Sequence, residues 1–224
     1  MNFPVADVLA VSLRRVYVAA ALFSLSAALP VLAQPAALDN GIADIQREWS
    51  IIQYQAPEKT REDRFAVLST KAQALADQFP QRAEPHIWAG IALSSWAGAK
   101  GGLGALGLAK QAREQYEQAI AIDPKALQGS AQNSLGVLYF KVPGWPIGFG
   151  DDNKAEALLK EALAINPDGI DPNYFYADYL VQKNRKADAA VYLERALKAP
   201  PRLGREIADA GRREDIAKLQ QKLP

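Results

Sequence analysis

KAEALLKEALAINP, residues 154–167, has two near copies in the chain: QAREQYEQAIAIDP at 111–124 and DAAVYLERALKAPP at 188–201. Each carries a small Ala, a large residue four positions on, a second Ala three further and a Pro five beyond that. The sets are Ala112, Tyr116, Ala119 and Pro124; Ala155, Leu159, Ala162 and Pro167; Ala189, Leu193, Ala196 and Pro201. Spacings of four and three put the first three members of each set on one face of a helix. The alanines let a neighbouring helix approach closely. The proline cannot continue the helix and marks where it stops.

Working outward, each copy is preceded by a second apolar stretch: IWAGIAL at 87–93, NSLGVLYF at 133–140 and YFYADYL at 174–180. Gly90, Gly136 and Ala177 fall at one shared position, ten to twelve residues after the preceding proline, where two antiparallel helices would cross too closely for a larger side chain. Pro167 and Pro201 are 34 residues apart, whereas the two earlier intervals are 43 and 44, so two units carry extra residues between their helices. This arrangement resembles the tetratricopeptide repeat over about residues 83–201, whose period is 34 residues. Upstream, DNGIADIQREWSIIQY and REDRFAVLSTKAQALADQFP read as two helices of a degenerate unit ending at Pro80. The tail GREIADAGRREDIAKLQQKL reads as a capping helix with a solvated Arg-rich face. The expected fold is therefore all-α: a tetratricopeptide-like solenoid of helical hairpins. It has three to four repeats, two long insertions within repeats and a C-terminal cap.

The N-terminus carries an address. Arg14 and Arg15 are followed by an uncharged apolar run from Val16 to Leu29, then Pro30, with Val31 and Ala33 at the small positions of a cleavage site. That order predicts a secretory signal peptide over residues 1–33, cut after Ala33, and a periplasmic repeat domain over 34–224. Residues 1–10 sit oddly ahead of the basic pair, and Val11 is an alternative start. The uncleaved alternative is a membrane anchor. The chain has no cysteine, which suits an oxidising compartment and removes disulfides, thiol nucleophiles and Cys-metal sites. Lys and Arg number 26 against 25 Asp and Glu, so no excess of basic charge points to nucleic acid.

Catalytic patterns are missing. His86 is the single histidine and reads as a helix-end or surface residue. Gly102, Gly104 and Gly107 spell the dinucleotide fingerprint, yet a helix precedes them where that mechanism needs a strand. Asp168, Asp171 and Asp178 lack calcium-loop order, and Asp171 before Pro172 reads as a helix cap. No metal, no cofactor and no enzymatic activity are expected.

What is left is a surface. Aligned on the shared small residue, the inward positions of the first helices are Ile87, Ile91, Ser94, Asn133, Val137, Phe140, Tyr174, Asp178 and Val181. This mixed groove suits a protein partner, an extended peptide or a small apolar ligand. A deep pocket favours the small ligand, and a shallow groove favours the protein. The second insertion, VPGWPIGFGDD at 142–152, adds Trp145 and Phe149. Two readings of it are open. Either both aromatics tuck over the stack, which is the preferred account, or they form a lip of the groove. Asp151 or Asp152 should cap the following helix.

Long-loop units behind an export signal resemble the periplasmic tetratricopeptide proteins associated with TRAP-type transporters, and similar units occur in regulators of microtubule dynamics. The former resemblance implies a ligand-carrying or partner-docking role. A structural subunit of an envelope assembly is the reading from another class.

Overall fold

A computed structural model describes residues 33–223. The segment predicted as a signal peptide, residues 1–33, lies outside the described residues apart from Ala33. The described chain is helical: α1 (Ala33–Tyr54), α2 (Arg61–Gln78), α3 (Ala83–Lys100), α4 (Ala105–Ile122), α5 (Ser130–Lys141), α6 (Asp152–Ile165), α7 (Ile170–Gln182), α8 (Lys186–Lys198) and α9 (Glu206–Gln220). Among the described residues there is no β-strand, only an isolated bridge between Gly144 and Gly150. α1/α2, α3/α4, α5/α6 and α7/α8 pair as four helical hairpins, stacked in order and followed by α9. This is the all-α repeat solenoid the sequence predicts.

The repeat signature is what holds the stack. All nine helix-face residues of the three copies, from Ala112 to Ala196, are fully buried. The small residues explain the close crossing. A Cβ on Gly90 would sit 2.5 Å from the ring of Tyr116, and one on Gly136 would sit 2.9 Å from Leu159 Cγ. Gly41 of α1 does the same for the degenerate first hairpin, where a Cβ would lie 2.8 Å from Leu75 Cδ1.

A second signature recurs at the repeat boundaries. The carbonyls of Pro80, Pro124 and Pro167 each accept a hydrogen bond from a buried side chain in the next helix. The donors are His86 Nε2 to Pro80 (3.1 Å), Gln132 Nε2 to Pro124 (2.7 Å) and Asn173 Nδ2 to Pro167 (2.7 Å). Helix ends leave carbonyls without intrahelical partners, and burying one unpaired is costly. His86 is therefore a buried structural residue rather than an exposed one, and its Nδ1 pairs with the Gln115 side chain at 2.7 Å.

The two insertions behave differently. Residues 101–104 form a tight turn between α3 and α4, with Gly101 and Gly102 at positive φ. Helices flank the glycine fingerprint on both sides, so no dinucleotide-binding unit is formed. In the 142–151 loop the aromatics separate. Phe149 packs edge-on to Tyr139, with ring centroids 5.7 Å apart, under the Arg113 guanidinium. Trp145 is 90% exposed, which corrects the packing account for that residue. The short stiff loop turns its tip outward, leaving no stack surface within reach of the indole. Asp151 closes the loop as expected, accepting from the backbone N–H groups of Asn153 and Lys154.

Candidate functional site

The inner face of the stack is built from the first helix of each hairpin, and a solenoid ordinarily leaves that face open. Here the two ends meet. Tyr54 of α1 packs against Gly211 of α9, where any Cβ would run into its ring. The Tyr54 hydroxyl donates to Asp215 Oδ2 at 3.1 Å. The groove is thereby curved round into a half-open chamber of about 1530 Å³. That exceeds the 300–1,000 Å³ usual for small-molecule pockets.

Much of the wall is aromatic. Trp49, Tyr54, Trp88, Tyr174 and Phe175 all line it. Trp49 stands edge-on to Tyr54 and to Trp88, at 5.9 and 6.1 Å between centroids, and its Nε1 donates to Ser95 Oγ at 2.9 Å. Such edge-to-face contacts fix the rings rather than leaving them to collapse inward. The insertions contribute Leu103 and Ile147, so both take part in the wall.

A charged strip lies where α7, α9 and the 199–205 segment converge. Asp171 accepts from Arg202 Nη1 (2.6 Å) and Arg212 Nε (2.8 Å). Arg202 also meets Asp209 (2.6 Å), and Arg212 meets Asp215 (3.1 Å). The Asp171 side chain keeps 26% of its surface, turned to the chamber. Burial alone would push its carboxyl up, but Arg212 and Arg202 outweigh that and hold it far below the usual carboxylate range. Arg212 also lies 4.5 and 4.4 Å from the ring centroids of Tyr174 and Phe175. Burial pushes the Tyr174 hydroxyl up to about 12, against the pull of Arg212.

Two expectations are corrected by this strip. Asp171 caps nothing: Gly169 is the residue ahead of α7, with no side-chain cap, and Asp171 is taken up by two guanidinium groups. The Arg-rich tail is not simply a solvated face, because Arg212 is only 9% exposed at its side chain and holds α9 to α7. Arg213 is likewise engaged, donating to the Leu197 and Ala199 carbonyls at the end of α8.

Of the predicted site residues, Ile91, Asn133, Val137, Tyr174 and Asp178 line the chamber, as does Ser94. Asp178 is paired there with Lys141 at 2.8 Å. Four do not line it. Ile87 is fully buried in a core cluster with Ala119 and Ala131. Phe140 packs on Tyr179 at 5.6 Å, between α5 and α7. Trp145 points outward and Phe149 is packed on Tyr139. Val181, also expected inward, packs on the main core. Trp49, Trp88, Phe175 and the arginine strip escape the sequence reading. The strip had one signal: LGREIADAGRRED alternates Arg with Asp and Glu at helical spacing, as a paired network does.

The repeat pattern can now be set beside known proteins. Residues 147–221 match the family model for the tetratricopeptide repeat. The tetratricopeptide match begins inside the second insertion and runs through α9, so the closing helix falls within the repeat pattern. By structure, the chain is similar to a thermophilic TPR protein of Thermus thermophilus, solved by crystallography. The TM-score is 0.54 and the identity 18%, over 84% of this chain and 95% of that one. The tetratricopeptide architecture thus extends beyond the residues matched in sequence. No curated protein matches the chain.

Proposed function

We propose that this protein is an exported, non-catalytic binding module that holds a ligand with a large apolar surface inside the half-open chamber. The observation that carries the reading is the closure of α9 on α1 around a space walled by Trp49, Trp88, Tyr174 and Phe175. Rings already fixed by edge contacts lose little freedom when a ligand arrives, so burial of apolar surface converts to affinity with little ordering cost. Among the described residues, no cluster of His, Cys, Asp or Glu is arranged for a metal. Of the acidic groups lining the chamber, Asp171 and Asp215 are engaged by arginines and Asp178 by Lys141.

A second reading rests on a different observation. Leu103, Trp145 and Ile147 are exposed apolar tips on the two insertions, and Leu103 and Ile147 also line the chamber. A protein partner docked there would cover the tips. Release into the periplasm by cleavage after Ala33 would leave α1 starting at the new N-terminus, and the absence of cysteine suits that compartment. N-terminal sequencing of protein from the cell envelope should then begin at Gln34; intact upstream sequence on membrane-bound protein would replace cleavage by an anchor.

The ligand reading is tested by titrating the purified protein with N-phenyl-1-naphthylamine, an apolar fluorophore, and by mass spectrometry of molecules that co-purify. Saturable fluorescence enhancement, abolished by Val137→Glu on the chamber wall, is expected. No enhancement, with capture of a partner lost in Trp145→Ala, would favour the docking reading instead.

A further inference from the structure

Lys141, Asp171, Asp178, Arg202, Arg205, Arg212 and Asp215 are the charged residues lining the chamber beyond the exposed Asp168. All but one are matched. Lys141 pairs with Asp178, Arg202 with Asp171, and Arg212 with Asp171 and Asp215. Arg205 has no carboxylate partner among the described residues, and its guanidinium makes no hydrogen bond there. Its Nε is buried without an acceptor. The group is set 5.2 Å from the centroid of the Trp88 ring. Trp88 is itself buried, and its indole N–H also lacks an acceptor. This corner of the chamber is thus rich in donors and short of acceptors.

A partly buried guanidinium without a carboxylate in direct contact is costly to keep, and a bound anion with good hydrogen-bond geometry offsets that cost. We infer that Arg205 receives the carboxylate of a ligand whose apolar body lies along the aromatic wall. The ligand class is a monocarboxylate with a long apolar body, either a free acid or the C-terminus of an apolar chain. A single charge is indicated because one guanidinium is unmatched, while Arg202 and Arg212 are already committed to Asp171. Burial and the neighbouring Arg202 depress the Arg205 guanidinium below its ordinary value, outweighing the pull of Asp171 and Asp209. The cation–π contact with Trp88 helps to hold the guanidinium in place, so a carboxylate meets a pre-positioned partner.

This assignment rests on the chamber reading, and the test separates the two. The full chain is titrated by calorimetry at pH 7.5 with dodecanoate and dodecanol, and with an apolar hexapeptide bearing a free or an amidated C-terminus. The acid member of at least one pair should bind about tenfold or more tighter than its neutral counterpart. Arg205→Gln should erase that preference while leaving the affinity for the neutral member within about twofold, and Arg205→Lys should keep part of it. The pair that shows the preference names the source of the carboxylate. Equal binding of acid and neutral members, or a preference that survives Arg205→Gln, overturns the anion site and leaves the chamber reading standing. Binding of neither member of either pair overturns the chamber reading and the anion site with it. Should Arg205→Gln fail to fold, Arg205→Lys with raised salt supplies the comparison: an acid preference unmoved by both overturns the assignment.

Discussion

Tyr54 and Asp215 are 161 residues apart in the chain, and the hydroxyl of one donates to the carboxylate of the other across 3.1 Å. This contact joins the first helix to the last. Tyr54→Phe keeps the ring against Gly211 and removes only the hydrogen bond to a charged acceptor. It should lower stability by roughly 1–3 kcal/mol in denaturant unfolding. Hydrogen exchange should rise in α9 and the end of α1 more than in α5 and α6. Uniform exchange across all helices would mean that the closing contact does not hold the ends together.

Asp171 sets a pH dependence of definite sign. Its folded-state pKa is depressed below the unfolded value of about 3.9, so its contribution is present above that value and disappears as pH falls further. Glu156 acts in the same direction. Hydrogen bonds from Lys160 first, and from Arg185 and Tyr176, lower it to about 2. Melting temperature should therefore vary little between pH 5 and 8 and drop below pH 4. At neutral pH Asp171→Asn should cost about 3–5 kcal/mol, because Arg202 and Arg212 lose their shared counter-charge. The variant should also show a shallower acid limb. An acid limb as steep as that of the unsubstituted protein would place the titration elsewhere.

The boundary hydrogen bonds are invisible to periodicity but open to substitution. Asn173 is fully buried and donates to the Pro167 and Gly169 carbonyls at 2.7 and 2.8 Å. Asn173→Leu preserves volume and leaves the Pro167 carbonyl without that donor, at a cost of about 1–3 kcal/mol. Unchanged thermal stability would show that solvent reaches this carbonyl.

Trp145 and Phe149 lie four residues apart in one loop and should respond oppositely. Trp145 is almost fully exposed, so Trp145→Ala should change stability by less than about 0.5 kcal/mol. Phe149 is wedged between Tyr139 and Arg113, and Phe149→Ala should cost roughly 1–3 kcal/mol, below the value for a full core phenylalanine. Equal melting shifts for the two variants would contradict the split orientation.

Hairpin order, the buried Ala and Leu faces and the Gly90 and Gly136 crossings were legible because each is a local spacing repeated several times. Five of the nine proposed groove residues line the chamber for the same reason: Ile91, Asn133, Val137, Tyr174 and Asp178 follow the register of the small residue. Ile87 and Phe140 miss because neighbouring elements take them up: Ile87 is buried with Ala119 and Ala131 and Phe140 packs on Tyr179, contacts between helices that a single alignment column ignores. Trp145 misses because a stiff loop's chemistry does not reveal which way its tip turns. The arginine strip was hidden for a deeper reason. Asp171 meets Arg202 and Arg212 only once the stack curves back on itself, and curvature is a property of the whole array.

That curvature also limits how the molecule can change in length. An open stack accepts another hairpin at little cost, since each unit answers only to its neighbours. In this protein a duplicated or deleted 34-residue unit would carry Tyr54 away from Gly211 and Asp215 and break the circuit. The number of hairpins is therefore a whole number set by geometry, and the diameter of the chamber comes with it. Variation among proteins built this way should accumulate in the two insertions, which can lengthen or shorten without changing the circumference.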